Sequence, residues 1–187
     1  MLVFLDFEAS SLAKTSYPIE VAWVFEDGAH ESHLIRPAPD WTDWAGEAEA
    51  IHHISRAMLE RDGIPHEQVA HRMVAALTGH DLLASAPSWD GKWLSVLLRA
   101  AGLPRHALRL RDSDAVPVEA ATTAYRGVVL DAELAARVEG VLKQFGKHMP
   151  GRPPAHRALP DARADRARWI AVRDWATEDA IRLRQSR

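Results

Sequence analysis

The stretch Phe4-Leu5-Asp6-Phe7-Glu8-Ala9-Ser10, FLDFEAS, continues an apolar run that starts at Met1. Residues 2 to 7 read as a buried strand, and its end carries two carboxylates two residues apart. Residues i and i+2 of a strand point to the same face, so Asp6 and Glu8 converge while Phe7 faces away. Two like charges so placed are costly unless they are paired or hold a cation. A lone Asp-x-Glu is most often a pair of edge carboxylates in solvent. What the rest of the chain brings beside these two decides the matter.

At 187 residues the chain is long enough for one sizeable core and short for two. Its composition, 47% hydrophobic and 26% charged, is that of a globular protein. The absence of cysteine excludes a disulfide framework and a thiolate zinc site. No apolar stretch approaches the roughly 20 residues of a membrane span. The first residues lack the basic start and long apolar region of a signal peptide. The expectation is a soluble, cytoplasmic protein with no membrane contact. A net charge of -3 argues against strong non-specific binding to nucleic acid. From Gly151 onward, however, nine Arg stand against five Asp and Glu. A basic C-terminal helix fits a phosphate-bearing partner as well as an ordinary solvated face.

The segment IEVAWVFEDG, residues 19 to 28, is rich in β-branched and aromatic side chains and closes on an Asp-Gly turn signal. HESHLIRP reads as its hairpin partner, and residues 37 to 50 read as a loop. SRAMLERDG and PHEQVAHRMVAALTG carry helical spacing and end in Gly. DLLASA is a short apolar strand. DGKWLSVLLRAAG is an amphipathic helix with Trp93, Leu94, Leu97 and Leu98 on one side. HALRLRDS alternates like a strand. DAELAARVEGVLKQFGKH and the stretch from Pro160 to Arg184 read as long helices. Strands come first as a meander and then alternate with helices, which predicts one α/β domain with a mixed sheet and helices packed against it.

Two further stretches join the carboxylates. Asp90, in SAPSWDGKWL, falls where a strand has turned and a helix begins; by itself it is a helix-start Asp complementing the dipole. HRALPDA carries His156 and Asp161 five apart. Pro160 suits a first helical turn, which places Asp161 in that turn and His156 in the loop before it.

Together these residues resemble, in order and spacing, the DEDD (DnaQ-like) superfamily of 3′–5′ exonucleases, in the branch with His in its third motif. FLDFEASSL is similar to the first motif, SAPSWDGKWL to the second and HRALPDA to the third. IHHIS, residues 51 to 55, resembles the His-Gly-Ile-Thr-like segment between the first two. The resemblance runs from about residue 2 to about residue 170. It departs at Ser85-Ala86, where many relatives have His-Asn, at Ala9-Ser10-Ser11, where many have Thr-Thr-Gly or Ala-Thr-Gly, and at His53, where Gly is usual.

The resemblance implies a ribonuclease H-like fold and two bound cations, Mg²⁺ or Mn²⁺. Oxygen-only ligation suits such hard ions. By similarity, Asp6 bridges both, Glu8 and Asp161 complete one site, and Asp90 supports the other directly or through water. The cations clamp the attacking water and the leaving 3′ oxygen. His156 accepts the proton of that water, a task that an imidazole, with an ordinary pKa of about 6.5, suits. Phe7, Ser10, Leu12 and His52 are the residues expected at the substrate, a single-stranded 3′ end of DNA or RNA. Leu12 reads equally as a wedge against the terminal base or as a core residue, and His52 as a substrate contact or a loop cap. Packing is the expected role of Trp41 and Trp44. Asp165 competes with Asp161 as a ligand and otherwise pairs with Arg168. A homodimer is consistent with several relatives. The alternative is a catalytically silent nucleic-acid-binding or protein-interaction domain on the same fold.

Overall fold

Strict alternation along β1 (Leu2–Ala9) gives the sheet its two faces. Val3, Leu5 and Phe7 enter an apolar core, whereas Phe4, Asp6 and Glu8 take the other side. In the computed structural model, which describes residues 1–148 and 155–186, β1 lies inside a mixed sheet. β2 (Pro18–Phe25) and β3 (His30–Arg36) extend it as an antiparallel meander. β4 (Ile64–Pro65) pairs parallel with β3. On the other edge β5 (Asp81–Ala84) and β6 (Leu110–Asp112) run parallel to β1. The order is β4-β3-β2-β1-β5-β6.

The helices are α1 (Gly46–His52), α2 (Arg56–Asp62), α3 (His66–Leu77), α4 (Pro87–Ala100), α5 (Ala115–Tyr125), α6 (Asp131–His148) and α7 (Ala158–Gln185). The chain forms two compact units. One holds Met1–Asp112 and the segment ending at Arg163; the other holds α5, α6 and α7 from Ala164 on. In the first, Val69, Ala70, Met73 and Leu77 of α3 and Trp93, Leu94, Leu97 and Leu98 of α4 close over Val3, Leu5, Phe7, Val21 and Trp23. The Val, Leu, Met and Phe side chains among these each contribute roughly 1.5–3 kcal/mol when fully buried. In the second, Tyr125, Val138, Val141, Phe145 and Val172 form a separate core. The Tyr125 hydroxyl donates to Asp179 at 2.9 Å.

Several elements depart from the sequence reading. The expected loop of residues 37 to 50 gives way at Gly46 to α1, where Ala and Glu favour a helix and Glu47 and Glu49 complement its dipole. α4 begins at Pro87, three residues before Asp90. β6 is three residues long rather than eight, because β5 offers only four residues to pair with. α5 went unread. Among the described residues no helix is long and apolar enough to cross a membrane.

Candidate active site

Asp6 and Glu8 leave β1 on the face opposite Phe7, and the pairing with β2 shifts register between Glu8 and Ala9. Such irregularities re-aim side chains at a strand end. Asp161 arrives from the first turn of α7. One carboxylate oxygen from each of Asp6, Glu8 and Asp161 lies within 4.8 Å of the other two. Three half-buried hard oxygens this close fit a divalent cation such as Mg²⁺ or Mn²⁺. The electrostatics point the same way. Glu8 is pushed up from 4.5 to about 7, first by burial and then by the Glu20 and Asp161 carboxylates. Arg157 opposes the rise and Asp90 adds to it. The carboxylates outnumber the one positive charge acting on Glu8, that of Arg157, and a cation supplies the balance.

Asp90 stands outside the triad. It is 2% exposed, in the first turn of α4, and its Oδ2 accepts the N–H of Ala86 at 3.3 Å. That bond satisfies one of the free donors at a helix start whose flanking Ala86 has no side chain to do so. The helix-start role read from sequence is the one this bond fills, and the Asp90 charge also helps raise the Glu8 carboxyl.

Glu20 was missed. It faces Glu8 across the β1–β2 ladder and is 3% exposed. Its carboxylate accepts Nε of Arg157 at 3.0 Å, Nη2 of Arg157 at 2.7 Å and the backbone N–H of Ala158 at 2.9 Å. A fork of this kind is among the strongest side-chain pairings. It pins the start of α7 to β2 and so fixes where Asp161 projects. It also clamps the residue after His156. His156 itself is exposed and sits at φ 52°, a left-handed conformation that costs a non-glycine residue about 1–2 kcal/mol. The N–H of Ala155 donates to Oδ1 of Asp161 at 2.8 Å, which ties the residue before His156 to that carboxylate.

The expected substrate residues divide. Phe7 is 4% exposed and packed in the core, so its side chain does not meet a substrate; the same alternation that aims Asp6 and Glu8 outward turns it inward. Ser10 is fully buried, and its hydroxyl donates to Asp43 at 3.0 Å and accepts the N–H of Tyr17 at 3.1 Å. Its hydroxyl hydrogen is therefore already committed. Asp43 also accepts from Ser11 and Thr15, organising the loop after β1 from a distance that local sequence does not reveal. Leu12 is 72% exposed, which removes the core reading.

Nδ1 of His52 accepts the N–H of Ile54 at 3.0 Å and caps the turn after α1. Its Nε2 is buried with no partner among the described residues. His53 occupies the left-handed cap of α1 at φ 57°, the conformation that explains why Gly is usual there. Trp41 stacks on Tyr17 with ring centroids 5.1 Å apart, and the Trp44 indole donates to Glu49 at 2.8 Å, so both pack as expected. Asp165 accepts from Ser113 at 3.0 Å, while Arg168 pairs with Asp114 instead.

The raised Glu8 carboxyl predicts a pH-dependent stability. A carboxyl that ionises near 7 in the folded chain and near 4.5 when unfolded favours folding in its protonated form. Its cost is absent below pH 4.5, grows as the pH rises and is complete above 7. Glu8→Gln should therefore melt higher than wild type at pH 8 in EDTA, with the gap closing at pH 5. Melting curves at both pH values check this; parallel shifts at the two would contradict it.

No family model and no curated protein matches the chain. Its fold, a mixed six-stranded sheet flanked by helices, is ribonuclease H-like. The solved structures that share it include exonuclease I of E. coli bound to single-stranded DNA, in a zinc-bound form, at 18% identity and a TM-score of 0.63. The same enzyme with a dT13 oligonucleotide matches at 18% and 0.64, each over 95% of this chain and 42% of the other. A moderately thermophilic exonuclease I from Methylocaldum szegediense matches at 18% and 0.62, over 90% of this chain and 40% of its own. At that identity the likeness is one of fold, and the chain spans about two fifths of these proteins' length.

Proposed function

We propose that the chain, acting as one exonuclease domain of the His-containing branch, removes nucleoside monophosphates from single-stranded 3′ ends of DNA or RNA. The observation that carries the reading is the convergence of Asp6, Glu8 and Asp161 within 4.8 Å, on the fold of exonuclease I.

Asp6, Glu8 and Asp161 hold the divalent cations, with Asp90 beside them. When bound, Mg²⁺ or Mn²⁺ supplies charge stabilisation to an in-line phosphodiester displacement. The exposed imidazole of His156 takes the proton of the attacking water, since its loop is tied to Asp161 by the Ala155 bond. The Glu20–Arg157 fork keeps that loop and the Asp161 turn in one arrangement. Leu12, projecting from the loop after β1, lies against the terminal base.

The test is degradation of 5′-labelled single-stranded DNA and RNA with Mg²⁺, Mn²⁺ or EDTA. Stepwise shortening from the 3′ end, abolished by EDTA, is expected. No shortening under any condition, together with no Mn²⁺ binding by calorimetry, leaves the silent-domain reading in its place.

A further inference from the structure

A cleft of about 450 Å³ opens along α4, lined on one side by Pro87, Gly91, Lys92 and Ser95 and on the other by the turn that carries Arg105, His106 and Arg109. The turn is anchored at two points. Ala107 donates to the carbonyl of Pro104 at 2.9 Å, and Leu108 is buried in the core of the sheet. With Leu108 held inward, Arg105, His106 and Arg109 are left exposed.

Their company is electrostatically one-sided. Arg105 donates from Nε to Nε2 of His106 at 2.7 Å, so this imidazole acts as an acceptor. Slight desolvation, followed by the charges of Arg105 and Arg109, holds His106 below its ordinary range. Neither arginine has a carboxylate partner among the described residues. Arg111, two residues on, is by contrast neutralised by Asp81 at 2.6 Å. Crowded guanidinium groups without a counter-charge are a poor arrangement for stability and a good one for an anion.

The cleft also has a direction. Pro87 and Gly91 flank Asp90 on α4. Lys92 lines the cleft while its ammonium donates to the carbonyl of Ala13 at 2.6 Å and to Ser16 at 2.8 Å. It thereby ties the cleft to the loop that follows Asp6 and Glu8 and bears Leu12.

We propose that this cleft binds backbone phosphates of the substrate strand, upstream of the 3′ end held at Asp6, Glu8 and Asp161. The proposal rests on the exonuclease reading for its direction, but binding and hydrolysis are separable. Arg105 and Arg109 act as point contacts to phosphate and carry no base preference.

The experiment compares wild type with R105E/R109E by fluorescence anisotropy, using 5′-labelled oligodeoxynucleotides of increasing length with Ca²⁺. Wild-type affinity should rise with length and then level off. The variant should lose about tenfold or more on long strands, with the salt dependence reduced by roughly 0.7 per lost phosphate contact. Dinucleotide binding should be unchanged. Equal affinity of the two proteins at every length overturns the proposal. So does an equal loss on the dinucleotide, which places the effect at the metal site. Competition of the arginine-dependent part by inorganic phosphate at low millimolar concentration also overturns it, in favour of a free-anion pocket. R105Q/R109Q, with its circular dichroism, guards against misfolding and should show a smaller loss of the same kind. Shortening of a saturating long strand by wild type with Mn²⁺ reads the exonuclease activity separately. Its absence, with no Mn²⁺ binding, defeats the exonuclease reading, while the length series still decides the cleft.

Discussion

Asp161→Ala is expected to lower turnover by roughly 10³-fold or more, because a divalent ion contributes several kcal/mol of transition-state stabilisation that is lost with its ligand. Asp6→Ala should match it. Both carboxylates lie in the triad with Glu8, and Asp161 reaches it only because α7 starts at Ala158 with its N–H held by Glu20. Asp165→Ala should be mild, since that side chain serves Ser113. His156→Ala should differ in kind. It should lose roughly 10²–10⁴-fold, the range for a positioned general base, while binding Mn²⁺ almost normally. Single-turnover rates and Mn²⁺ calorimetry on the four variants separate the roles. An Asp161→Ala protein that keeps both metal affinity and rate would sink the assignment of the triad. A His156→Ala protein with the wild-type rate would remove the imidazole from the mechanism. Folding should survive the carboxylate changes, because each relieves repulsion within an acidic cluster.

What was legible in the sequence was whatever local pattern determines. Asp6 and Glu8 could be placed on one face from the period of a strand alone, and Asp161 in a first helical turn from Pro160. The strand IEVAWVFEDG and the helices α3 and α6 were equally plain, from their composition and apolar period and, for α3, a Gly stop. Glu20 was not legible. It is one carboxylate in an apolar run, and its meaning comes from Arg157, 137 residues away. Ser10 failed for a similar reason, its hydroxyl being taken by Asp43 from a loop 33 residues on. Phe7 is a different kind of miss. Alternation already sent it away from Asp6 and Glu8, and only the motif resemblance kept it among the substrate residues. α5 was obscured by Pro117 and by Thr122 and Thr123, poor helix formers that tertiary packing overrides.

Arg157→Ala should produce the largest loss of stability among these variants. Glu20 is 3% exposed, and Arg157 is its only charged partner among the described residues. Removing one member of a buried pair typically costs about 3–5 kcal/mol; the lower end applies here because the Arg157 side chain is 40% exposed and Ala158 still donates to Glu20. Glu20→Gln should cost less, since it leaves no buried charge behind and Arg157 can turn to solvent. The loss from Arg157→Ala should depend on pH, with a sign that follows from Glu8. Arg157 opposes the rise of the Glu8 carboxyl, so without it that carboxyl moves further above 7. The folded chain then disfavours ionised Glu8 more strongly than before. The destabilisation should be largest at pH 8 and smaller at pH 5, where Glu8 is protonated in both proteins. Turnover should also fall at temperatures where the variant is fully folded, because the His156 loop and the Asp161 turn lose their common anchor. Arg157→Lys, which keeps the charge but not the fork, should recover part of the stability and less of the turnover. Denaturant unfolding at the two pH values measures the first effect and single-turnover kinetics the second. An Arg157→Ala protein as stable as wild type at pH 8 would mean that Glu20 is held by the Ala158 N–H alone, and that the fork does not set the geometry of the site.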